Sequence, residues 1–184
     1  CPPYPDCLSE ESIGYQDTSE CPPITIHVPE DFATIQEAID YSIDGDTILV
    51  SAGIYYENIT WPATNGIKLI GSGEDDCFID GDSLASVIRF EEDLGGIIDS
   101  TTLITGFTIQ NGYAQQNDWL YFDGGGMFLY ASSPTLTDVT FSGNTGRGMY
   151  LNFSSSATLT GVTFSGNSGG GIYCGAGIGE GDES

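Results

Sequence analysis

The sequence predicts an all-β solenoid, a fold in which short strands wind into coils that stack along one axis. The main observation is a repeat: residues 135–144 (TLTDVTFSGN) return as residues 158–167 (TLTGVTFSGN), an offset of 158 − 135 = 23 residues. A second segment recurs in step, as residues 126–129 (GMFL), 148–151 (GMYL) and 171–174 (GIYC). A unit of this length with two or three short strands is typical of one coil, which must stack on the next to bury its apolar side.

The composition indicates one acidic domain. The chain has 184 residues, of which 39% are hydrophobic, enough for a single apolar core. Lys and Arg number 3 against 27 Asp and Glu, and the resulting net charge of −24 repels phosphate backbones and anionic lipids. No apolar run is long enough to cross a bilayer. We therefore expect no nucleic-acid partner and no membrane span.

The first elements are an arm, a strand and a helix. Residues 1–23 form a Cys/Pro-rich extended arm, and residues 24–28 alternate apolar and polar side chains as a short strand does. Thr34 and Glu37 make a capping box, and apolar residues at helical spacing predict one amphipathic helix near 34–43. We expect this helix to cap the amino end of the solenoid.

The solenoid is expected to extend over residues 24–174. Beyond the helix, short apolar alternations are separated by Gly, Asp and Asn, which is typical of strands joined by turns. One repeat interval is 136 − 104 = 32 residues, and the excess of 32 − 23 = 9 falls on residues 113–123. This predicts an inserted loop at 113–123. Residues 175–184 form a Gly-rich acidic tail.

The period of two residues along a strand assigns the repeated side chains to columns. Asn144 and Asn167 occupy matching turns, where amides can hydrogen-bond along the axis, and Asn111 is assigned to the same ladder. Five inward columns are predicted: Leu136 and Leu159; Val139 and Val162; Phe141 and Phe164; Met127, Met149 and Ile172; and Leu129, Leu151 and Cys174.

Three segments resemble a known superfamily. Residues 28–61, which contain "GDTILVSAGIYYEN", look like the opening of pectinesterase-like proteins, and residues 67–81 and 103–112 are similar to the coils that follow. The resemblance is to the right-handed parallel β-helix proteins of the pectin lyase-like superfamily. It implies a right-handed parallel β-helix with a helix over the first coil. It implies much less about activity, because this fold hosts lyases, hydrolases, esterases, adhesins and inert surface proteins.

The catalytic motifs of that superfamily are absent from the sequence. Nothing matches the "DFIFG"-like aspartate segment of pectinesterases, and residues 74–76 (EDD) lack the histidine and basic motifs of polygalacturonase-like hydrolases, since His27 precedes the first coil. Arg89 and Arg147 are the only arginines available for a pectate lyase-like base, and no acidic cluster at a matching coil position can be assigned to Arg147. Cleaving an anionic polyuronate requires cationic groups. We expect no catalytic residues and no enzyme activity.

Calcium is the one cofactor for which the sequence offers candidate ligands. Asp80 and Asp82, with Asp76 nearby, place carboxylates two residues apart in an acidic turn. Oxygen ligands with this spacing suit a hard cation such as calcium. The alternative is that Asp-Gly pairs serve only as turn residues at the solenoid corners. We expect no other cofactor.

The cysteines and sequons suggest an extracellular or cell-surface protein. No cysteine pair has the spacing of a metal site, and a proline-rich arm with several cysteines suggests disulfides in an oxidising compartment. The number is odd, so one thiol is left over. Asn58 and Asn152 head glycosylation sequons. The disulfide candidates are Cys1, Cys7, Cys21, Cys77 and Cys174.

Aromatic side chains form a candidate contact surface. Phe128, Tyr150 and Tyr173 lie between two inward columns and therefore point outward, while Trp119 and Tyr121 fall on the inserted loop. Such a surface suits sugar rings or another subunit, so a polysaccharide is a candidate partner. The alternative is ordinary stacking within a parallel sheet.

The predicted function is structural. Residues 172–174 begin a coil that no helix follows, which leaves a template for pairing with another chain. We predict a non-catalytic protein that self-assembles end to end into a filament or surface layer, with the arm of one subunit on the last coil of the next, or that acts as an adhesive module. The chain as one piece of a longer surface protein, and a tail that folds back as a cap, are alternatives. The other functional class is a carbohydrate-active enzyme or polysaccharide-binding domain.

Overall fold

A computed structural model describes residues 22–91, 97–114 and 124–175. They form a right-handed parallel β-helix, as predicted. Most of the arm, the greater part of the inserted loop and nearly all of the tail lie outside the described residues, and so do Cys1, Cys7, Cys21, Trp119 and Tyr121.

The described residues contain one α-helix, α1 (Ile35–Tyr41), which lies between the first two strands. The strands are β1 (Thr25–Val28), β2 (Thr47–Val50), β3 (Gly53–Tyr56), β4 (Ile59–Thr60), β5 (Lys68–Gly71), β6 (Cys77–Asp80), β7 (Ile88–Phe90), β8 (Leu103–Gln110), β9 (Gly124–Tyr130), β10 (Thr135–Ser142), β11 (Arg147–Asn152), β12 (Thr158–Thr160), β13 (Thr163–Ser165) and β14 (Ile172–Cys174).

Two parallel sheets enclose the core. The larger has nine strands and follows the order β1-β2-β5-β8-β10-β12, with β3, β6 and β13 beside this path, and the smaller follows β14-β11-β9-β7-β4. Successive coils therefore consist of β2 to β4, β5 to β7, β8 and β9, β10 and β11, and β12 to β14. Residues 113–123, for which the sequence predicted an inserted loop, fall between β8 and β9, and most of them lie outside the described residues.

The register confirms four of the five predicted columns. Leu136 pairs with Leu159 and Phe141 with Phe164 in the large sheet. In the small sheet Met149 pairs with both Met127 and Ile172, and Leu151 with Leu129 and Cys174. Because identical residues stack, like side chains meet in the interior, and the rings of Phe141 and Phe164 lie 5.1 Å apart and nearly parallel. The 23-residue repeat is therefore the register between the last two coils.

The helix closes the amino end of the core as predicted, although it begins at Ile35 and ends at Tyr41 within the predicted 34–43. The capping box between Thr34 and Glu37 is present. The Glu57 carboxylate, from the first coil, accepts the N–H groups of Ile35 (2.8 Å) and Gln36 (2.9 Å), two donors that have no partner within a helix. The apolar face of α1 is fully buried against the core.

The asparagine ladder is confirmed for Asn144 and Asn167 and is wrong for Asn111. Asn144 is buried, and its Nδ2 donates to the Asn167 Oδ1 (2.9 Å) and the Ile109 carbonyl (3.1 Å). Asn111 instead donates to Asp80 (2.7 Å). Gln110 pairs with Ser142, so the next residue, Asn111, aligns with Gly143. Both residues have left-handed backbone conformations, with φ of 53° for Asn111 and 63° for Gly143. Asn111 is thus one residue out of step with Asn144.

Candidate functional site

The last coil is the least covered part of the described structure. Among the described residues, β12 and β13 pair only with β10, and β14 pairs only with β11. One coil earlier Phe141 and Met149 are fully buried, but Phe164 is only half-buried and Ile172 is 40% exposed. This open coil, residues 158–174, is called the carboxyl edge below.

Backbone groups on the carboxyl edge point away from the sheets. The Ser165 carbonyl accepts the Gly143 N–H (3.0 Å), so Phe164 directs its own N–H and C=O to the open side. Gly175 donates to Leu151 (2.7 Å) and the Gly171 carbonyl accepts from Met149. By the same alternation, Ile172 and Cys174 direct their backbone groups outward. The edge therefore offers hydrogen bonds together with apolar side chains.

The amino end differs, because its first strand is closed by a local turn. The His27 N–H donates to the Asp31 carboxylate (2.7 Å), and the Asp31 N–H donates to the His27 carbonyl (2.7 Å). The neighbouring Ile24 and Val28 carbonyls face β2, so by alternation Thr25 and His27 direct their backbone groups to the open side, and Asp31 occupies those of His27. A new strand added at β1 would have to break both bonds.

Charge is also distributed unequally along the axis. No Asp or Glu stands between Asp138 and Glu180, and Arg147 is the only Lys or Arg in that stretch. The carboxyl edge consists instead of Thr, Ser, Gly, Asn and apolar residues. Residues 30–46, around the helix, contain six acids and no Lys or Arg: Glu30, Asp31, Glu37, Asp40, Asp44 and Asp46.

The predicted aromatic ladder exists and is bracketed by the two arginines. Phe128 stacks on Tyr150 at 5.9 Å between ring centroids, and Tyr150 on Tyr173 at 5.2 Å. The Arg89 guanidinium lies 4.8 Å from the Phe128 ring, and that of Arg147 lies 4.2 Å from the Tyr173 ring. Arg89 also forms an ion pair with a glutamate two residues on (2.6 Å).

The expected exposure of this ladder is wrong for two of its three members. Phe128 is 8% exposed and Tyr150 4%, whereas Tyr173, on the last coil, is 39% exposed. Periodicity indicates which side chains leave the core, but it does not indicate what packs over them. Tyr173 with Arg147 is thus the accessible part of the predicted contact surface.

The candidate calcium ligands are not brought together. The Asp80 carboxylate is buried and accepts hydrogen bonds from the Asp82 N–H (3.0 Å), Gln110 (2.9 Å) and Asn111 (2.7 Å). Asp76 accepts the Ser72 hydroxyl. Within the described ranges no group of three His, Cys, Asp or Glu side chains could hold a metal ion. Asp80 thus follows the alternative interpretation, in which aspartates stabilise turns.

The two described cysteines, Cys77 and Cys174, both have free thiols. Cys77 is fully buried, its Sγ lies 3.5 Å from the Ser51 carbonyl, and burial raises the pKa of its thiol. Cys174 is exposed on the carboxyl edge.

The two sequon asparagines differ in their surroundings. The Asn58 amide nitrogen donates to the carbonyls of Gly81 (3.2 Å), Ala85 (3.2 Å) and Ser86 (3.3 Å), so a glycan there would displace a turn contact. Asn152 is half-buried, and its side-chain oxygen, Oδ1, accepts the Phe153 N–H (2.9 Å). Asn152 is therefore the more accessible candidate.

A shallow, open depression of about 320 Å³ lies at a corner of the first coils. The side chains around it stabilise turns: Asn65 and Thr101 bond to Asp99, whose pKa is lowered chiefly by the Thr101 hydroxyl. Among the described residues Lys68 is the one cation in its wall. The lining residues are Asp44, Gly45, Asn65, Gly66, Lys68 and Thr101.

No helix among the described residues is long and apolar enough to cross a membrane.

Comparisons with known proteins agree with the geometry. Residues 42–178, more than half of the chain, match the family described as the right handed beta helix region. A mutant pectin methylesterase solved with a hexasaccharide is similar, with a TM-score of 0.54 and 16% identity over 77% of this chain and 48% of that chain. Pectin methylesterase PemA from Erwinia chrysanthemi has a TM-score of 0.43 and 17% identity over 77% and 53%.

The chain spans about half the length of these enzymes. At such identities the likeness concerns the fold alone, because one fold supports many activities. No curated protein matches the chain.

Proposed function

The chain belongs to the right-handed β-helix family, and within that fold we propose that it is a non-catalytic structural module of an extracellular assembly. Its carboxyl edge pairs with a β-coil of another chain. The observation that carries this proposal is the combination of outward backbone groups at Phe164, Ile172 and Cys174 with half-covered apolar side chains on the same coil. Such edges are templates for strand addition.

The arginines support a role without catalysis. Arg89 is engaged by its glutamate partner and by the Phe128 ring, and Arg147 by the Gly169 carbonyl (3.2 Å) and the Tyr173 ring. The buried Asp80 carboxylate accepts three hydrogen bonds and is a poor nucleophile. Hydrolysis or elimination on a polyuronate would require an accessible cationic group and an accessible carboxylate.

An extracellular location is supported by the sequence. The arm carries three cysteines in a proline-rich context, which suits an oxidising compartment, and Asn152 is an accessible sequon residue. The high negative charge keeps such a protein soluble.

The test is sedimentation velocity of the full chain over a range of concentrations. The wild type is expected to associate reversibly. Cys174→Pro removes an outward N–H from β14 and leaves the Tyr173 and Gly175 bonds to β11, so it should weaken association about tenfold or more. Cys174→Val has similar bulk, keeps the N–H and should associate like the wild type.

Two results would overturn the proposal. One is a monomer at every concentration. The other is equal loss of association in Cys174→Pro and Cys174→Val, which would assign the contact to the thiol.

A polysaccharide-binding role is the second candidate, and the exposed Tyr173 beside Arg147 favours it. The Arg147 guanidinium lies over the Tyr173 ring, so this cation together with the exposed part of the ring suits the carboxylate of a uronate. Retardation of the chain in affinity electrophoresis through polygalacturonate, lost in Tyr173→Ala and kept in Tyr113→Ala, would support it. Tyr113 is also exposed (44%) and provides the matched control. Equal mobility with and without the polysaccharide would exclude this role.

A further inference from the structure

The partner of the carboxyl edge can be specified further. We infer that the last coil pairs with the last coil of a second copy of this chain, so that two solenoids meet tail to tail about a two-fold axis. This inference rests on the proposed function and names its partner and geometry. It differs from end-to-end growth, in which the last coil of one copy meets the first coil of the next.

The closed amino end argues against head-to-tail contact. There the outward N–H and C=O of His27 are both bonded to Asp31 at 2.7 Å, and α1 covers the core with its buried face. Continuing the large sheet across this end would break two hydrogen bonds before forming new ones. Turns and coverings of this kind are the means by which proteins block strand addition at an edge.

Charge favours contact between two carboxyl ends. Glu30, Asp31, Glu37, Asp40 and Asp44 are all exposed in the segment that forms the amino end, so two amino ends would repel each other. Two carboxyl edges bring together described residues 139–175, which contain no acid and carry Arg147 as their only charge, while the exposed Asp138 carboxylate lies beside Gly161. The next acids, at positions 180, 182 and 183, lie outside the described residues.

The geometry of the edge suits two-fold symmetry. A two-fold axis perpendicular to the solenoid axis sets each open strand antiparallel to its counterpart in the second copy, and antiparallel pairing satisfies edge N–H and C=O groups directly. The same contact covers the half-buried Phe164 and the exposed Ile172 with apolar side chains of the last coil of the second copy. Two-fold contacts are the commonest in homo-oligomers and close after two copies.

Two matched threonines distinguish the arrangements. Thr25 and Thr158 belong to the same column of the large sheet, at its two ends, and both are exposed. Thr158→Glu would place like charges on both sides of a tail-to-tail contact, whereas Thr25→Glu would leave it untouched. Sedimentation equilibrium of the full chain at low salt should give a dimer whose dissociation constant rises about tenfold in Thr158→Glu and is unchanged in Thr25→Glu. Circular dichroism verifies the fold of each variant.

The outcomes separate the inference from the proposed function. Species larger than a dimer, or weakening by Thr25→Glu as well, would overturn tail-to-tail pairing and leave association through the carboxyl edge intact. A wild type that stays monomeric would overturn both. A dimer that neither Thr158→Glu nor Cys174→Pro weakens would place the contact on another surface and would also overturn both.

Discussion

Asn144 is a polar side chain in the interior of the coil stack, and both atoms of its amide have partners. Its nitrogen donates to Ile109 and Asn167, and its oxygen accepts the Gly112 N–H (2.8 Å). It therefore joins three coils at one turn. Asn167 holds the same position in the last coil but is only half-buried.

Asn144→Ala is expected to lower the free energy of unfolding by about 2–4 kcal/mol, because it leaves a buried N–H and a buried C=O without partners. Asn167→Ala should cost about half as much or less, since water reaches its neighbours. Urea denaturation followed by circular dichroism measures both. Equal losses of unfolding free energy in the two variants would mean that the burial of each asparagine does not determine how much it stabilises the fold.

The two described cysteines should react at very different rates. Cys174 is exposed, whereas Cys77 is fully buried with a pKa raised by that burial, so its reactive thiolate is both scarce and inaccessible. Alkylation of the native, reduced protein with iodoacetamide should modify Cys174 and spare Cys77 until urea is added. Peptide mass spectrometry identifies the modified thiols, and early modification of Cys77 would show that β6 opens in the native state.

The raised pKa of Cys77 also sets a pH dependence. Burial stabilises the neutral thiol, so this contribution is present below the unfolded thiol pKa of about 8.5 and is lost as the pH rises through the higher folded value. The melting temperature should fall on the alkaline side, and less so in Cys77→Val. An identical fall in both proteins would assign the effect to other groups.

At the scale of elements, Glu57 connects the helix to the first coil. The sequence predicted the capping box, since Thr34 and Glu37 are close along the chain. It did not predict Glu57, which is more than twenty residues from its partners and meets them only once the coil has formed. Local capping can be predicted from spacing, but a cap supplied by the fold cannot.

Glu57→Ala is expected to lower the free energy of unfolding by about 1–2 kcal/mol, because two helix N–H groups lose a charged acceptor. Glu30→Ala removes the same charge at an exposed position and should change stability by less than about 0.5 kcal/mol. Thermal unfolding followed by circular dichroism compares them. Similar losses in both would point to net charge as the cause.

The sequence predicted the strands from their repeat and missed the covering of their outer face. Identical residues at a fixed offset leave only one register that stacks Leu136 on Leu159, so the columns followed directly. Phe128 and Tyr150 contact each other, and they also contact Arg89 and Tyr173 respectively. Spacing alone did not indicate the contact with Arg89. Asn111 shows the same limit, because the register aligns it with Gly143 in the left-handed turn position and not with Asn144.

At the scale of the molecule, a charge of −24 on a chain of 184 residues opposes compactness. Added NaCl should raise the melting temperature and then level off as screening becomes complete. CaCl₂ and MgCl₂ at matched ionic strength should act alike, because Asp80 already has its hydrogen-bond donors. A larger rise with CaCl₂ would instead support the calcium site predicted at Asp76, Asp80 and Asp82. A melting temperature independent of salt would show that self-repulsion is unimportant.

The contrast between the two ends also determines how the molecule would respond to a pulling force. Each coil is held by its neighbours alone, so a tension applied at the carboxyl side would detach the half-covered last coil first and then peel the others in order. Each step would release a length on the order of 80 Å for a coil of about 23 residues. A tension applied at the amino side would have to disrupt the helix, the Asp31 turn and the Glu57 cap together before the first coil could detach. The solenoid would therefore unravel from one end as a series of small extensions, and two copies joined at that end would protect each other from such unravelling.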